Sequence, residues 1–588
     1  MVHAEPALIA SDVRDRLVVV TPWYPTASNP YGGAFVRETT RALLSHFPDP
    51  LVVHTEVRAL DAEPVAASRG VVDGLDVLHL PVPMDPLTPR ARVAELVRDA
   101  LAPYAQALAE AEVVHVHVGM PTGWAVVDLL GDRTRVVVSE HASYLNKLWA
   151  LPESEAMYAR TVREAALVTA VGQDTTRALQ QRYPDVADKV HTVPNPLDVE
   201  RFVPGDVPPT NLHRWLYVGN LLEAKGVLRL VRAFAAWHEQ RPTATLTVAG
   251  GGVDADRMRA LAAELGVADA VTFVGRVAPA QVGELYRDAD VLVHLSVAET
   301  FGLTAVEALA SELPVVATAT RGGVRTLDVA QDEGMARLVP VGDGVDDVIA
   351  AVRDLEERRA SARPWLVRDD LAVRFGTGPV AAVLADALRG APVDEPAPDA
   401  PLVVAVALHG SAVPGAARVV RDAVRRGARA VLVADRADEL ADELDLDHRV
   451  QRVDVSPVRA RLLSHRMEKW VLDAVPRTLI RAAGPVARAA GRPQAVDAAL
   501  RRQQRLSARW KQVVGRPGHA RIDPGALARV VARESAALVA DPVLVTWGHA
   551  QGRPLAERIA QRSPGATVVQ DADLDLVSRL VAGARSAR

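Results

Sequence analysis

The 588-residue chain has no cysteine, which excludes disulfides and thiolate metal sites and fits a reducing compartment. Lysine is nearly as scarce. Of 68 basic residues only Lys147, Lys189, Lys225, Lys469 and Lys511 are lysine, and the rest are arginine. An excess of positive charge is also missing: a net charge of −5 argues against a nucleic-acid binder over the whole chain, because that role needs a basic surface. Long apolar runs are absent. Stretches such as Leu17–Thr21 and Val136–Val138 are strand-sized, far short of the ~20 residues that a membrane helix needs. Residues 1–15 are polar and acidic and do not read as a signal peptide. The expectation is a soluble cytoplasmic protein, at most peripheral at the inner face of a membrane.

What is present is a repeated pattern of short β-branched run, Gly-containing turn and helical stretch. The runs Leu17–Val20, Val113–Val118, Val136–Ser139 and Leu167–Val171 belong to a first group. Leu216–Val218, Leu246–Ala249, Val271–Val274, Val291–His294 and Pro314–Ala317 belong to a second. Strands apolar throughout, alternating with amphipathic helices, predict parallel sheets covered on both faces. The fold class is α/β, with a doubly wound domain over 1–205 and another over 206–390, whose last helix is expected to cross back. Pro204–Pro209 and Ala391–Ala400 supply the linkers. A third α/β domain over 391–588 starts with Leu402–Leu408 and is interrupted by a basic helical insert over 456–521.

Four constellations carry chemistry. The strongest is Glu299-Thr-Phe-Gly-Leu-Thr-Ala-Val-Glu307, which follows the strand Val291–His294. Gly302 is a turn residue and Leu303–Ala310 should be helical. The amides of Phe301, Gly302 and Leu303 then lie at a helix N-terminus, where free N–H groups and the dipole favour an anion. The place is the carboxyl end of a parallel strand, where open α/β sheets bind ligands. Glu299 in the loop and Glu307 inside the helix need not share a role: one could hold sugar hydroxyls and the other ribose hydroxyls. By residue type alone, Glu299 could equally cap the helix and Glu307 face solvent. The second constellation is Val218-Gly-Asn-Leu-Leu-Glu-Ala-Lys-Gly226, a strand-end turn closed by a lysine in a chain that otherwise prefers arginine. It could set a cation over a diphosphate, or Lys225 could be a surface charge. The third, Tyr31-Gly-Gly-Ala34, lets backbone approach a ligand closely, although a Gly-Gly turn is commonplace. The fourth, Ser139-Glu-His141, puts a histidine at a strand's carboxyl edge, where it is either structural or catalytic.

In order, Gly32-Gly33, Glu140-His141, Val193-Pro-Asn-Pro196, Gly219 with Lys225-Gly226, Ala249-Gly-Gly-Gly252, Val271-Thr-Phe-Val-Gly275 and Glu299–Glu307 resemble the retaining GT-B glycosyltransferases of family four. The resemblance covers about Leu17 to Leu388. It implies two facing Rossmann-like domains that move a sugar from a UDP- or GDP-sugar to a glycan, lipid-linked or small-molecule acceptor, in polysaccharide or glycolipid biosynthesis. No cofactor or metal is implied; the nucleotide sugar is a substrate. In that reading Lys225 neutralises the donor diphosphate and Glu307 binds the ribose. Glu299 holds the sugar together with the Phe301, Gly302 and Leu303 backbone. His141 faces the sugar from the first domain, and Gly32 and Gly33 cover the phosphates and the acceptor side. Arg276 and Val277 contact the base through backbone, and Gly219 and Asn220 line the phosphate loop. The chain departs from the family twice. Asn220 stands where an arginine is usual, and Gly322-Gly-Val-Arg-Thr326 lacks the usual glutamate, so that Arg321 or Arg325 would have to restore positive charge. The first departure motivates an alternative: a non-catalytic homologue that binds sugar nucleotides or scaffolds a pathway.

Residues 456–521 hold 15 Lys/Arg against three Asp/Glu. That excess suits contact with anionic lipid or a polyanionic acceptor, and equally suits a solvated insert packed on an acidic domain.

Overall fold

The computed structural model describes residues 13–391 apart from 27–28, 30, 61–64 and 206–210. Beyond them it describes 393, 400–408, 410–437, 450–456, 542–548 and 552–582, apart from 562, 564, 573–575 and 578. The chain divides into two compact units, Met1–Val393 and Asp394–Arg588.

The first unit contains two sheets. One is built from β1 (Leu17–Thr21), β2 (Leu51–Ala59), β3 (Ser68–Val72), β4 (Leu75–Met84), β5 (Val113–His117), β6 (Val136–Glu140), β7 (Leu167–Ala170) and β8 (Val190–Thr192). Their spatial order is β3-β4-β2-β1-β5-β6-β7-β8, parallel throughout except for the β3–β4 pair. The other consists of β9 (Arg214–Val218), β10 (Thr245–Ala249), β11 (Val271–Gly275), β12 (Val291–His294), β13 (Val315–Thr318) and β14 (Ala336–Val339), ordered β11-β10-β9-β12-β13-β14 and all parallel. Within each sheet the chain winds outward from a first strand, returns, and winds the other way. This leaves a crevice where the order reverses: between β1 and β5 in one sheet, and between β9 and β12 in the other. Both are Rossmann-like, the pair of domains that the GT-B resemblance implies.

Valine-rich strands are buried on both faces because helices cover each side. In the first sheet Val18, Val114 and Val138 belong to one core, while Leu17, Val19, Val113 and Val137 belong to the core on the opposite face. That second core is completed by Val380, Leu384 and Leu388 of the helix Thr377–Arg389, so the chain returns from the second sheet to the first. Arg135 fastens the helix end by donating from Nε to the Leu388 carbonyl at 2.8 Å and from Nη2 to that of Ala387 at 3.1 Å.

The second unit carries β15 (Leu402–Ala407), β16 (Arg429–Ala434), β17 (Val450–Asp454), β18 (Leu544–Trp547) and β19 (Thr567–Gln570), all parallel in the order β17-β16-β15-β18-β19. Apolar clusters cover both of its faces. The basic insert expected over 456–521 lies, apart from Ser456, outside the described residues. Among the described residues no helix is long and apolar enough to cross a membrane.

Candidate active site

The β9–β12 crevice gathers the second half's chemistry. After β9 the loop 219–226 ends at Gly226, which has φ +71 and heads the helix Val227–Gln240. A Cβ there would lie 2.1 Å from the Leu295 carbonyl oxygen, so only glycine lets the loop press against the chain leaving β12. That approach sets Lys225 beside Glu299, and the lysine donates from Nζ to Oε1 at 2.7 Å. His294 Nε2 lies 3.8 Å from the same oxygen. Its ring stacks parallel on Tyr217, centroids 5.8 Å apart, and Tyr217 donates its hydroxyl to the Asn220 carbonyl at 2.8 Å. Burial pushes the His294 pKa down, with Glu299 opposing and Lys225 reinforcing the shift, so the imidazole is neutral. His294 and Tyr217 were not among the residues singled out by sequence. His294 left a signal, as the one polar residue of its strand and at the carboxyl end of it.

Beyond β12, Phe301 is buried and Gly302, with φ +81, opens the helix Leu303–Ala310. Glu307 lies inside that helix, apart from the Lys225–Glu299 pair, and accepts a hydrogen bond from the Tyr286 hydroxyl at 2.8 Å. Burial pushes its carboxyl up to about 7, with Tyr286 and Arg201 holding it down and Glu38 adding to the rise. Arg201, from the segment joining the two sheets, reaches within 3.9 Å of Glu38 on the helix Ala34–Ala42. Sequence reading missed Arg201. Asn220 and Arg276 are exposed and Val277 is half-buried. Tyr31, just before Gly32, donates to the Arg276 carbonyl at 3.4 Å, and the Arg276 guanidinium lies 5.7 Å over the Tyr31 ring. The Gly32–Gly33 turn and the 275–277 segment therefore meet. Gly33, with φ +64, starts the helix Ala34–Ala42, and a Cβ on it would fall 2.2 Å from the Trp23 carbonyl oxygen. The Arg321 and Arg325 side chains, candidates for restoring charge, lie outside those described.

In the first sheet, the face that is apolar at Val113, Val137 and Leu167 turns polar toward the carboxyl edge, at His115, His117, Ser139, His141 and Thr169. His117 Nδ1 and His141 Nε2 share a hydrogen bond of 2.9 Å, and Phe35 packs on the His141 ring at 4.5 Å. Glu140 faces the other way, fully buried, and its carboxylate meets four donors. Oε1 accepts from the amides of His141 (2.9 Å) and Ala142 (2.7 Å), and Oε2 from the Gly119 amide (3.0 Å) and the Tyr158 hydroxyl (2.6 Å). Glu140 thus pins the turn that carries His141. Glu140→Ala strands those donors and is expected to cost about 3 kcal/mol or more, at ~1 kcal/mol or above for each buried group left unmet. Thermal unfolding measures it; a loss under about 1 kcal/mol would mean that the donors find other partners.

Among the described residues no group of three or more His, Cys, Asp or Glu could hold a metal ion. The second sheet's crevice thus offers a cation with its carboxylate, a helix N-terminus and a second carboxylate, groups suited to holding a phosphorylated, hydroxyl-rich ligand, and the first sheet's edge offers a histidine pair.

Comparison with known proteins bears on the family. The family model described as glycosyltransferase family 4 matches residues 31–201, and that of glycosyl transferases group 1 matches 205–365. The D-inositol 3-phosphate glycosyltransferase of Nocardia farcinica is 31% identical over 325 residues, covering 50% of this chain and 67% of that protein. A second such enzyme, from Catenulispora acidiphila, is 30% identical over 306 residues, covering 47% and 70%. The match to the relative from Acidothermus cellulolyticus is 36% identical but spans only 28% of this chain and 42% of that protein. Among solved structures, sucrose-phosphate synthase from Thermosynechococcus elongatus superposes with a TM-score of 0.52 at 21% identity, covering 63% of this chain and 98% of that one. Anabaena HepE, solved with UDP and glucose, gives 0.50 at 17% identity, covering 63% and 99%. These structural likenesses bear on the fold. With both halves of the GT-B unit matched in order, and with the Nocardia and Catenulispora enzymes matched over 67% and 70% of their length, the chain belongs to the glycosyltransferases.

Proposed function

We propose that the protein transfers a sugar, with retention of configuration, from a UDP- or GDP-sugar to a hydroxyl acceptor. The observation that carries this reading is the Lys225–Glu299 pair beside the helix start at 301–303. As the bond to the leaving diphosphate breaks, negative charge grows on its oxygens, and a fixed ammonium with free helix amides stabilises that charge without reorganising. Glu299 is left to hold sugar hydroxyls, and Glu307, backed by Tyr286, to accept from the ribose. The acceptor is a glycan, a lipid-linked glycan or a small molecule, and the curated relatives named for inositol 3-phosphate put a phosphorylated cyclitol among the first to try. The test incubates the full chain with a panel of UDP- and GDP-sugars and follows nucleoside diphosphate release with and without acceptors. Turnover abolished by Glu299→Ala supports transfer. Tight donor binding without turnover on any acceptor favours the second reading, a sugar-nucleotide-binding homologue, for which Asn220 in place of the usual arginine is the motive.

This reading carries a pH signature. Glu307, with its carboxyl at about 7, is mostly ionised at about pH 8 and mostly protonated at about pH 6. A carboxylate accepts two ribose hydroxyls better than a carboxylic acid does, and the doubly esterified diphosphate of a sugar nucleotide does not titrate in this range. Donor affinity is therefore expected to weaken several-fold, up to about tenfold, from pH 8 to pH 6. Calorimetric titration reads it. A flat profile, or the same slope in Glu307→Gln, would assign the effect to another group.

A further inference from the structure

The histidine at the β6 edge does not act alone. His117, on the adjacent strand, is fully buried and spends Nδ1 on His141 Nε2 at 2.9 Å, while its own Nε2 has no hydrogen-bond partner. We infer that His117 is a positioning residue that fixes His141 as the Nδ1–H tautomer, so that His141 offers the sugar a hydrogen-bond donor and not an acceptor. The inference rests on the proposed transfer for its functional meaning, but the tautomer follows from the hydrogen-bond arithmetic of two neutral, packed rings.

That arithmetic has two solutions. Both rings are neutral: burial, helped by neighbouring histidines, holds His141 at about 3 and His117 well below the ordinary histidine value. A neutral imidazole carries one N–H and one bare nitrogen. If His141 donated from Nε2, His117 would accept at Nδ1 and carry its proton on Nε2, burying an N–H with nothing to receive it. If instead His117 donates from Nδ1, the nitrogen left over is a bare Nε2. Orphaned buried N–H groups are rarer in proteins than under-satisfied acceptors, so the second arrangement is selected. His141 then accepts at Nε2 and must carry its proton on Nδ1. Its ring is only partly buried, unlike His117, and Phe35 holds one face of it. His115 completes the support one step back, sharing a hydrogen bond of 2.7 Å between its Nε2 and the Ser139 hydroxyl, which in turn pairs with Thr169 at 2.7 Å. A donor at this position meets a sugar hydroxyl oxygen with a defined polarity, which turns a partly buried aromatic contact into an orienting one.

The experiment uses nitrogen-15 histidine NMR and kinetics on the full chain. In the unmodified protein, His141 should show a protonated Nδ1 and a bare Nε2. His117→Asn places an amide N–H near the lost Nδ1–H and should keep that signature, with kcat within about threefold. His117→Phe fills the space without a donor. It should release the tautomer to a mixture and lower kcat at least about tenfold, with KM changed less. A protonated Nε2 on His141 in the unmodified protein overturns the inference, and so does an unchanged His141 tautomer in His117→Phe, or equal loss of kcat in the Asn and Phe variants. If His117→Phe fails to fold, the unmodified protein and His117→Asn still decide. If the proposed transfer fails, no turnover is seen with any donor while the NMR signature stands, so the two failures are separable.

Discussion

Lys225→Ala is expected to lower kcat/KM for the sugar nucleotide about 10²–10³-fold, or roughly 3–4 kcal/mol of transition-state stabilisation. Two losses combine. The first is the cation: a unit charge near a phosphate at a protein surface is worth up to about 4 kcal/mol at contact, less what solvent screens. With Asn220 where an arginine is usual, no charge from that loop stands in for it. The second is the carboxylate left behind. Glu299, freed from its 2.7 Å partner, would present an uncompensated negative charge to the donor diphosphate. The two residues are therefore coupled, and their substitutions should not add. Glu299→Gln costs activity in the unmodified background but should recover part of the donor affinity in Lys225→Ala, because it removes the repulsion. Steady-state kinetics on the four proteins closes the cycle. A Lys225→Ala effect under about tenfold, or a Glu299→Gln effect identical in both backgrounds, would show that the pair is a surface ion pair of the ordinary weak kind.

Much of this site was legible because its parts lie where an α/β chain announces its strand ends. Val291–His294 is apolar and short, a glycine follows within the next turn, and the carboxylates and the lysine stand in loops the sheet order then brings side by side. What sequence left out has a physical cause in each case. β2 and β4 escaped notice because His54, Thr55 and Glu56 in one, and Pro81 and Pro83 in the other, break the apolar signal. Those residues cluster at the sheet's far side, where His79 binds Glu56 at 2.9 Å. Periodicity makes His294 the last residue of a strand and His117 strand interior, because it reports which residues are inside but not which polar groups meet across strands. Tyr217 needs the β9–β12 neighbourhood, and Arg201 needs the joining segment to fold back beside Glu38; both are long-range facts. Glu140 stood inside a matching motif, yet its four-donor cradle is assembled from three separate segments.

The same polar strand edges predict a steep loss of stability in mild acid. His54, His115 and His117 are buried; burial pushes His54 and His115 down to about 4 and His117 well below the usual value, with His141 at about 3. In the unfolded chain each protonates near 6.5. Between about pH 6.5 and pH 4.5 the unfolded state therefore binds more protons than the folded one, and stability falls as pH falls. The loss starts at the unfolded value and levels off as the folded values are passed, near 4 for His54 and His115. Each histidine contributes up to about 1.4 kcal/mol per pH unit. His294 acts in the same direction, and Glu307 opposes, because its raised carboxyl takes up a proton in the folded state first. Paired carboxylates such as Asp76, already held below the ordinary value by Arg69 and Arg16, lose their contribution only under about pH 4, outside this window. The balance is a loss of about 5–10 kcal/mol over two pH units, comparable to the whole stability of an ordinary domain. The first unit should unfold at ambient temperature near about pH 5, followed by calorimetry across the range, and His115→Gln should flatten the slope by about one proton. A melting temperature constant from about pH 7 to pH 5 would mean that these imidazoles reach solvent and charge without unfolding the sheet.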